Sequence, residues 1–111
     1  MLFETYQKGI YQVIKINEML TMNSDISELE SIVIEFLRNN AFNIAVYFTG
    51  DSFLSSSAGA IIVRCWEAVK DRNGELVFIN VNKNILDFLS IIGFTSLNKT
   101  YSSDDELESR E

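Results

Sequence analysis

The spacing of apolar residues changes period several times along the chain, and each change marks an element boundary. Tyr11 to Ile16 alternates, with Tyr11, Val13 and Lys15 on one side and Gln12, Ile14 and Ile16 on the other, which predicts a strand. Leu2 to Tyr6 offers a hairpin partner for it. Ile26, Leu29, Val33, Phe36 and Leu37 then recur at helical spacing. Asp25 followed by Glu28 predicts a capping box at the start of that helix, and Arg38-Asn39-Asn40 its end. Ile44 to Phe48 is short and apolar throughout, as a strand buried on both faces should be. A turn, Thr49-Gly50-Asp51-Ser52, leads into Phe53-Leu54 and three serines. From Ala58 the pattern is helical again, with Ile62, Cys65, Trp66 and Val69 on one face, and Asn73 or Gly74 suits the left-handed C-terminal cap. Glu75 to Val81 predicts a second buried strand. Asn82 or Asn84 can cap a third helix running to Ile92, which Gly93 closes. Thr95 to Tyr101 predicts a short edge strand.

Strands alternating with helices of these lengths predict an α/β fold. The expectation is one small domain over residues 1–101, with a mixed sheet of four or five strands. Right-handed crossovers put its helices mainly on one face. Residues 102–111 hold five acids and one arginine, an acidic tail or short frayed helix. Asp104, Asp105, Glu106 and Glu108 lack the spacing of a calcium loop and read as solvated.

Charge and composition narrow the chemistry. The chain carries −7, and setting aside the tail's net −4 leaves −3 on the body. Such a surface repels phosphate backbones and anionic lipid heads, so neither nucleic acid nor membrane is an expected partner. No apolar run has the length of a membrane span, and the N-terminus has an acid where a signal peptide wants basic residues. There is no histidine, which removes the usual general base and the commonest metal ligand. A single cysteine, Cys65, excludes an internal disulfide, a CxxC pair and a thiolate metal cage. A cytoplasmic binding protein without metal or cofactor is expected, rather than an enzyme.

The informative segment is Phe53-Leu54-Ser55-Ser56-Ser57-Ala58-Gly59, where a buried strand hands over to a helix. Ligands of open α/β sheets gather at that end of the strands. Free N–H groups of a first helical turn point outward there, and the helix dipole adds partial positive charge. A serine in this place can be the helix cap, or can accept a phosphoryl group that the helix end tolerates. Small residues at Ala58, Gly59 and Ala60 leave the backbone open to a partner. Phe53 and Leu54 are either buried under the turn or the apolar centre of a docking patch. No GxxxxGK[ST] or GxSxG pattern occurs, which removes the nucleotide loop and the serine hydrolase. Trp66 and Cys65 read as core packing, Trp66 having an interface role as its alternative. Beside Arg64, Cys65 has slight support as a redox sensor.

The stretch from Ile44 to Phe94 resembles the STAS domain (sulphate transporter and anti-sigma factor antagonist), most closely its small bacterial stand-alone form. That family carries an apolar strand, an apolar pair, then Asp-Ser-Ser-Gly opening a helix. A Gly-Gly-Glu-like turn, an apolar strand, and a helix ending in glycine before a large apolar residue follow. Ile44 to Phe48, Phe53-Leu54, Ser55-Ser56-Ser57-Ala58, Asn73-Gly74-Glu75, Leu76 to Val81 and Ile92-Gly93-Phe94 fall in that order. Ser55 stands where the family has aspartate, and Ala58 where it has glycine. Met19-Leu20-Thr21-Met22 replaces an acidic segment before the first helix.

The resemblance implies an anti-sigma factor antagonist. It would dock a serine-kinase anti-sigma factor that brings its own ATP, and be switched off by phosphorylation at Ser56, with Ser57 as the alternative acceptor. Phe53, Leu54, Ser55, Ser56, Ser57, Ala58 and Gly59 would form the partner-binding segment. The alternative is a scaffold subunit of a transporter or sensory complex, without phosphate chemistry.

Overall fold

The computed structural model describes residues 2–93 and 100–110. Chain order gives β1 (Phe3–Lys8), β2 (Tyr11–Ile16), α1 (Ser27–Arg38), β3 (Asn43–Tyr47), α2 (Ser56–Asp71), β4 (Glu75–Ile79), α3 (Lys83–Ile91) and β5 (Thr100–Tyr101). A 3₁₀ helix, Asp104–Arg110, ends the described chain. Phe94 and residues 95–99 of the expected edge strand lie outside the described residues.

The five strands lie in the order β1-β2-β3-β4-β5. β1 and β2 form an antiparallel hairpin, and every later pairing is parallel. Because each parallel crossover steps the same way along the sheet, right-handedness sends α1, α2 and α3 to one face. Phe3, Ile14, Ile16, Ile44, Val46, Leu76 and Phe78 meet the buried sides of those helices there.

The helix ends follow local chemistry. Asn40 (φ 61°) and Asn73 (φ 58°) adopt the left-handed conformation just past α1 and α2. At α2, the Asn73 N–H reaches Lys70 O at 2.9 Å and the Gly74 N–H reaches Val69 O at 2.9 Å, which satisfies two terminal carbonyls. Gly74 is needed for space. A Cβ there would lie 2.3 Å from Phe42 O, the oxygen that accepts the Glu75 N–H. At the start of α1 the expected capping box is replaced by a shorter device. Asp25 Oδ1 accepts the Ser27 N–H at 2.9 Å, which holds the Asp25 carboxyl below its usual range. Ile26, fully buried, fixes the helix entry instead of a polar cap.

The second face of the sheet shows the main departure from the sequence reading. The acidic tail is docked through Leu107, while Asp105, Glu106 and Glu108 stay exposed as expected. Leu107 is wholly buried with Tyr11, Val13, Ala45, Val77 and Ile79, bordered by Tyr6, Tyr47 and Tyr101. Burying such a side chain is worth roughly 1.5–3 kcal/mol. Tyr6 donates its hydroxyl to Asp104 at 2.7 Å, and Lys8 Nζ lies 3.3 Å from Asp105 and 3.1 Å from Glu108. Burial, then the bond to Asp104, raises the Tyr6 pKa. Asp104, Asp105 and Glu108 thus partner β1, Glu106 accepts the Ser102 and Ser103 N–H groups, and the leucine among them covers the sheet.

The α2–β4 junction gives a direct test. Gly74→Ala should lower the stability toward urea by about 1–3 kcal/mol, because the added methyl must displace a backbone carbonyl. An unchanged midpoint would contradict the packing described for Phe42.

Candidate functional site

The loop from β3 to α2 lies beyond the carboxyl ends of three parallel strands, and hydrogen bonds tie it to both neighbouring loops. Among the described residues, Ser52 is the one polar side chain that is buried, at 1% exposure. Its Oγ accepts the Leu20 N–H at 2.9 Å and donates to Thr49 O at 2.7 Å. The Phe53 N–H in turn reaches Leu20 O at 2.9 Å. This zips the β3–α2 loop to the β2–α1 loop, and the Thr49 hydroxyl adds a bond to Ile16 O.

The other side is held by two asparagines. Asn82 Oδ1 caps α3 by accepting the Ile85 N–H at 2.9 Å, and its Nδ2 donates to Ser52 O at 2.8 Å. Asn80, in the left-handed conformation, donates its Nδ2 to Phe48 O at 3.0 Å. The cap at Asn82 is legible in the sequence, but its second bond is not, nor is the burial of Ser52. The remaining signal is chemical: a capping asparagine has an amide NH₂ left to satisfy.

On this frame the three serines take different places. Ser55 is the N-cap of α2, with extended backbone, and its Oγ accepts the Ala58 N–H at 3.2 Å. The Ser57 hydroxyl, exposed, lies 3.2 Å from that Oγ. Ser56 is exposed at the first helical position, and its side chain meets no hydrogen-bond partner among the described residues. By helix geometry the Ser56 and Ser57 N–H groups have no intrahelical acceptor. No acid stands in the first turn of α2.

The apolar members of the segment divide. Phe53 is 38% exposed, whereas Leu54 and Ala58 lie in the helix-side core. Gly59 is buried as well, and a Cβ on it would come within 2.6 Å of the Phe88 ring. The small residues therefore admit α3 and not a visiting protein, which corrects the reading of an open backbone at Ala58 and Gly59. Outside the predicted segment, Met19 adds an exposed side chain next to Leu20 and lies against Gly50, whose added Cβ would sit 3.4 Å from its sulfur. The exposed residues at this end of the sheet thus include Met19, Asp51, Phe53, Ser56 and Ser57.

Cys65 is fully buried in the core, and desolvation, with a smaller contribution from Glu30, pushes its thiol up to about 12. Arg64 opposes this weakly and is itself paired with Glu30 at 3.0 Å. Trp66 is half-buried against the core, with Lys70 Nζ 4.9 Å from its ring centre. Among the described residues no group of three potential metal ligands comes together, and no helix is long and apolar enough to cross a membrane.

A mixed five-stranded sheet with its helices on one face, and a serine-bearing loop at the strand ends, is the STAS fold. Three solved structures share it over almost the whole chain. A Thermotoga maritima protein assigned as an anti-sigma factor antagonist superposes with a TM-score of 0.77 at 16% identity, covering 97% of this chain and 92% of its own. The Bacillus cell fate determinant SpoIIAA, in its phosphorylated form, gives 0.72 at 12% identity, with 97% of both chains covered. An anti-sigma factor antagonist (STAS) domain protein of Planctomyces limnophilus gives 0.67 at 19% identity, covering 97% of this chain and 96% of its own. No family sequence model matches the chain, and no curated protein sequence does. The likeness is thus one of fold, at 12% to 19% sequence identity.

Two outcomes follow from the site's packing. Ser52→Ala leaves the Leu20 N–H without its acceptor and should destabilise the protein by about 1–3 kcal/mol. Amide hydrogen exchange should speed up first at Leu20 and Phe53. Cys65 should react with a thiol reagent near neutral pH only as fast as the protein opens, so labelling in a urea series should track unfolding.

Proposed function

We propose that the protein is a regulatory binding module of the anti-sigma factor antagonist kind. It docks a serine-kinase anti-sigma factor in the cytoplasm and is switched by phosphorylation of Ser56. The observation that carries this reading is the position of the Ser56 hydroxyl. It is exposed and uncommitted, at the first turn of a 16-residue helix that carries no acid there. Phe53 and Met19 supply apolar contact beside it. The solved structures of the same fold lend support, since each carries an antagonist or cell-fate description and one of them is phosphorylated.

The transfer itself needs nothing from this chain beyond the hydroxyl. The kinase brings ATP and Mg²⁺. Ser56 Oγ attacks the γ-phosphorus, the bond to the β-phosphate oxygen breaks, ADP departs, and the hydroxyl proton passes to a base of the kinase. The product carries about −1.5 to −2 charges beside the outward N–H groups of α2. Within this molecule the helix end tolerates that charge. At the docked surface it must be desolvated, and every ~1.4 kcal/mol lost weakens binding tenfold.

A second reading rests on one residue. Ser55 caps α2 with a neutral hydroxyl where the resembling family has an acid. A phosphorylation-independent scaffold subunit would need only that cap and the exposed surface around it.

Incubation with the serine-kinase anti-sigma factor of its own cell, ATP and Mg²⁺ should add the mass of one phosphoryl group, and Ser56→Ala should abolish the gain. A kinase that modifies its usual antagonist and leaves this chain untouched overturns the switch. Ser56→Asp should weaken kinase binding at least about tenfold while Ser56→Ala retains it. A scaffold tolerates both.

A further inference from the structure

β1 forms one edge of the sheet, and its outer side carries neither proline nor bulge. Its six residues pair with β2 in unbroken register from Phe3↔Ile16 to Lys8↔Tyr11, without a bulge. It contains no proline. Natural edges are blunted by proline, bulges or outward lysine. Lys8, the one lysine of this strand, is drawn onto the second face by Asp105 and Glu108.

The direction of the free backbone groups follows from the register. The Asn17 N–H donates to Leu2 O at 2.7 Å, so even-numbered residues of β1 turn their backbone groups toward β2. Alternation then points the N–H and C=O of Phe3, Thr5 and Gln7 away from the sheet. No described residue bonds to them. The row is about 20 Å long for a strand of this length.

Beside this edge, on the helix face, runs an open groove of about 720 Å³ between β1 and α1. Phe3 and Thr5 line one wall, and Ile32 and Phe36, both half-buried, line the other. Glu28 and Glu35, both exposed, stand along its rim, and no lysine or arginine lines it. Arg38 approaches Glu35 at 3.7 Å, an exposed pair worth little. An unpaired edge, an apolar floor and an acidic rim therefore coincide.

We infer that the outer edge of β1 accepts a sixth strand from a protein partner: an extended, basic segment with alternate apolar side chains. The partner's main chain bonds to Phe3, Thr5 and Gln7. Its apolar side chains fill the groove over Ile32 and Phe36, and its cations meet Glu28 and Glu35. Main-chain pairing supplies affinity and the alternating side chains supply selectivity. Charge chooses this occupant over a second copy of the chain. An edge-to-edge dimer would set each α1, with Glu28 and Glu35, beside its own counterpart in a molecule of net charge −7. The surface is separate from the serine loop, so this inference stands or falls without the reading of Ser56.

The test uses the whole protein, ¹⁵N-labelled, with an end-blocked heptapeptide of alternating lysine and valine, and a control peptide with glutamate for lysine. The lysine peptide should bind saturably and slow amide exchange at Phe3, Thr5 and Gln7, while the glutamate peptide does not bind. The Glu28→Lys/Glu35→Lys variant, altered only at the surface, should weaken binding about tenfold or more. Thr5→Pro removes an outward donor without touching the bonds to β2, and should also weaken it while the spectrum stays folded. No binding at millimolar peptide, binding without protection of those three amides, equal binding of both peptides, or self-association through β1 each overturns the inference.

Discussion

Three parallel strands at the centre of the sheet, β2, β3 and β4, place apolar side chains on both faces, and neither face can be left to water. Right-handed crossovers supply helices to only one of them. The second face is closed by the returning C-terminal segment, with Leu107 at its centre and tyrosines around it. Three acids of that segment, Asp104, Asp105 and Glu108, meet Tyr6 and Lys8. A stretch that composition alone would leave in solvent thereby contributes Leu107 to the core, on the face of the sheet opposite the three helices.

Buried hydrogen bonds hold the serine loop. The hydroxyls of Ser52 and Thr49 fasten it to the β2 side, and the amides of Asn80 and Asn82 fasten it to the β4 side. With those bonds made, Ser55 is free to cap α2 and Ser56 is left facing out. Exposure of the candidate acceptor is thus a product of buried hydrogen bonds on both sides of it. Gly59 contributes by letting Phe88 of α3 come close, which brings the third helix to the site.

Most of the architecture was legible where one physical signal dominated. Ile44 to Phe48 and Glu75 to Val81 read as buried strands, and both mark central strands, although β3 ends at Tyr47 and β4 at Ile79. Asn82 and Asn73 stand where cap chemistry requires them, and both act there. The reading failed where two signals competed. At Leu107 one apolar residue among acids was outvoted by its neighbours, although burial depends on what the sheet still exposes. At Asp25 the spacing fitted a capping box, but Ile26 was drawn into the core and the helix began one step later. Ala58 and Gly59 were taken as open to a partner because small residues permit close approach, and sequence does not say by whom. Ser52 sat in a polar turn where nothing distinguishes a buried serine from a wet one.

Strand order matches chain order across the whole sheet. As the polypeptide leaves the ribosome, each new strand can therefore join the edge laid down just before it, and no strand has to wait for a distant mate. Only the last turn breaks this rule, reaching back across 98 positions from Asp104 to Tyr6. A nascent chain can thus assemble its helix side progressively, yet leaves the opposite side bare until the segment bearing Leu107 has emerged. The bond between Asp104 and Tyr6 therefore closes a face that forms later than the helix side.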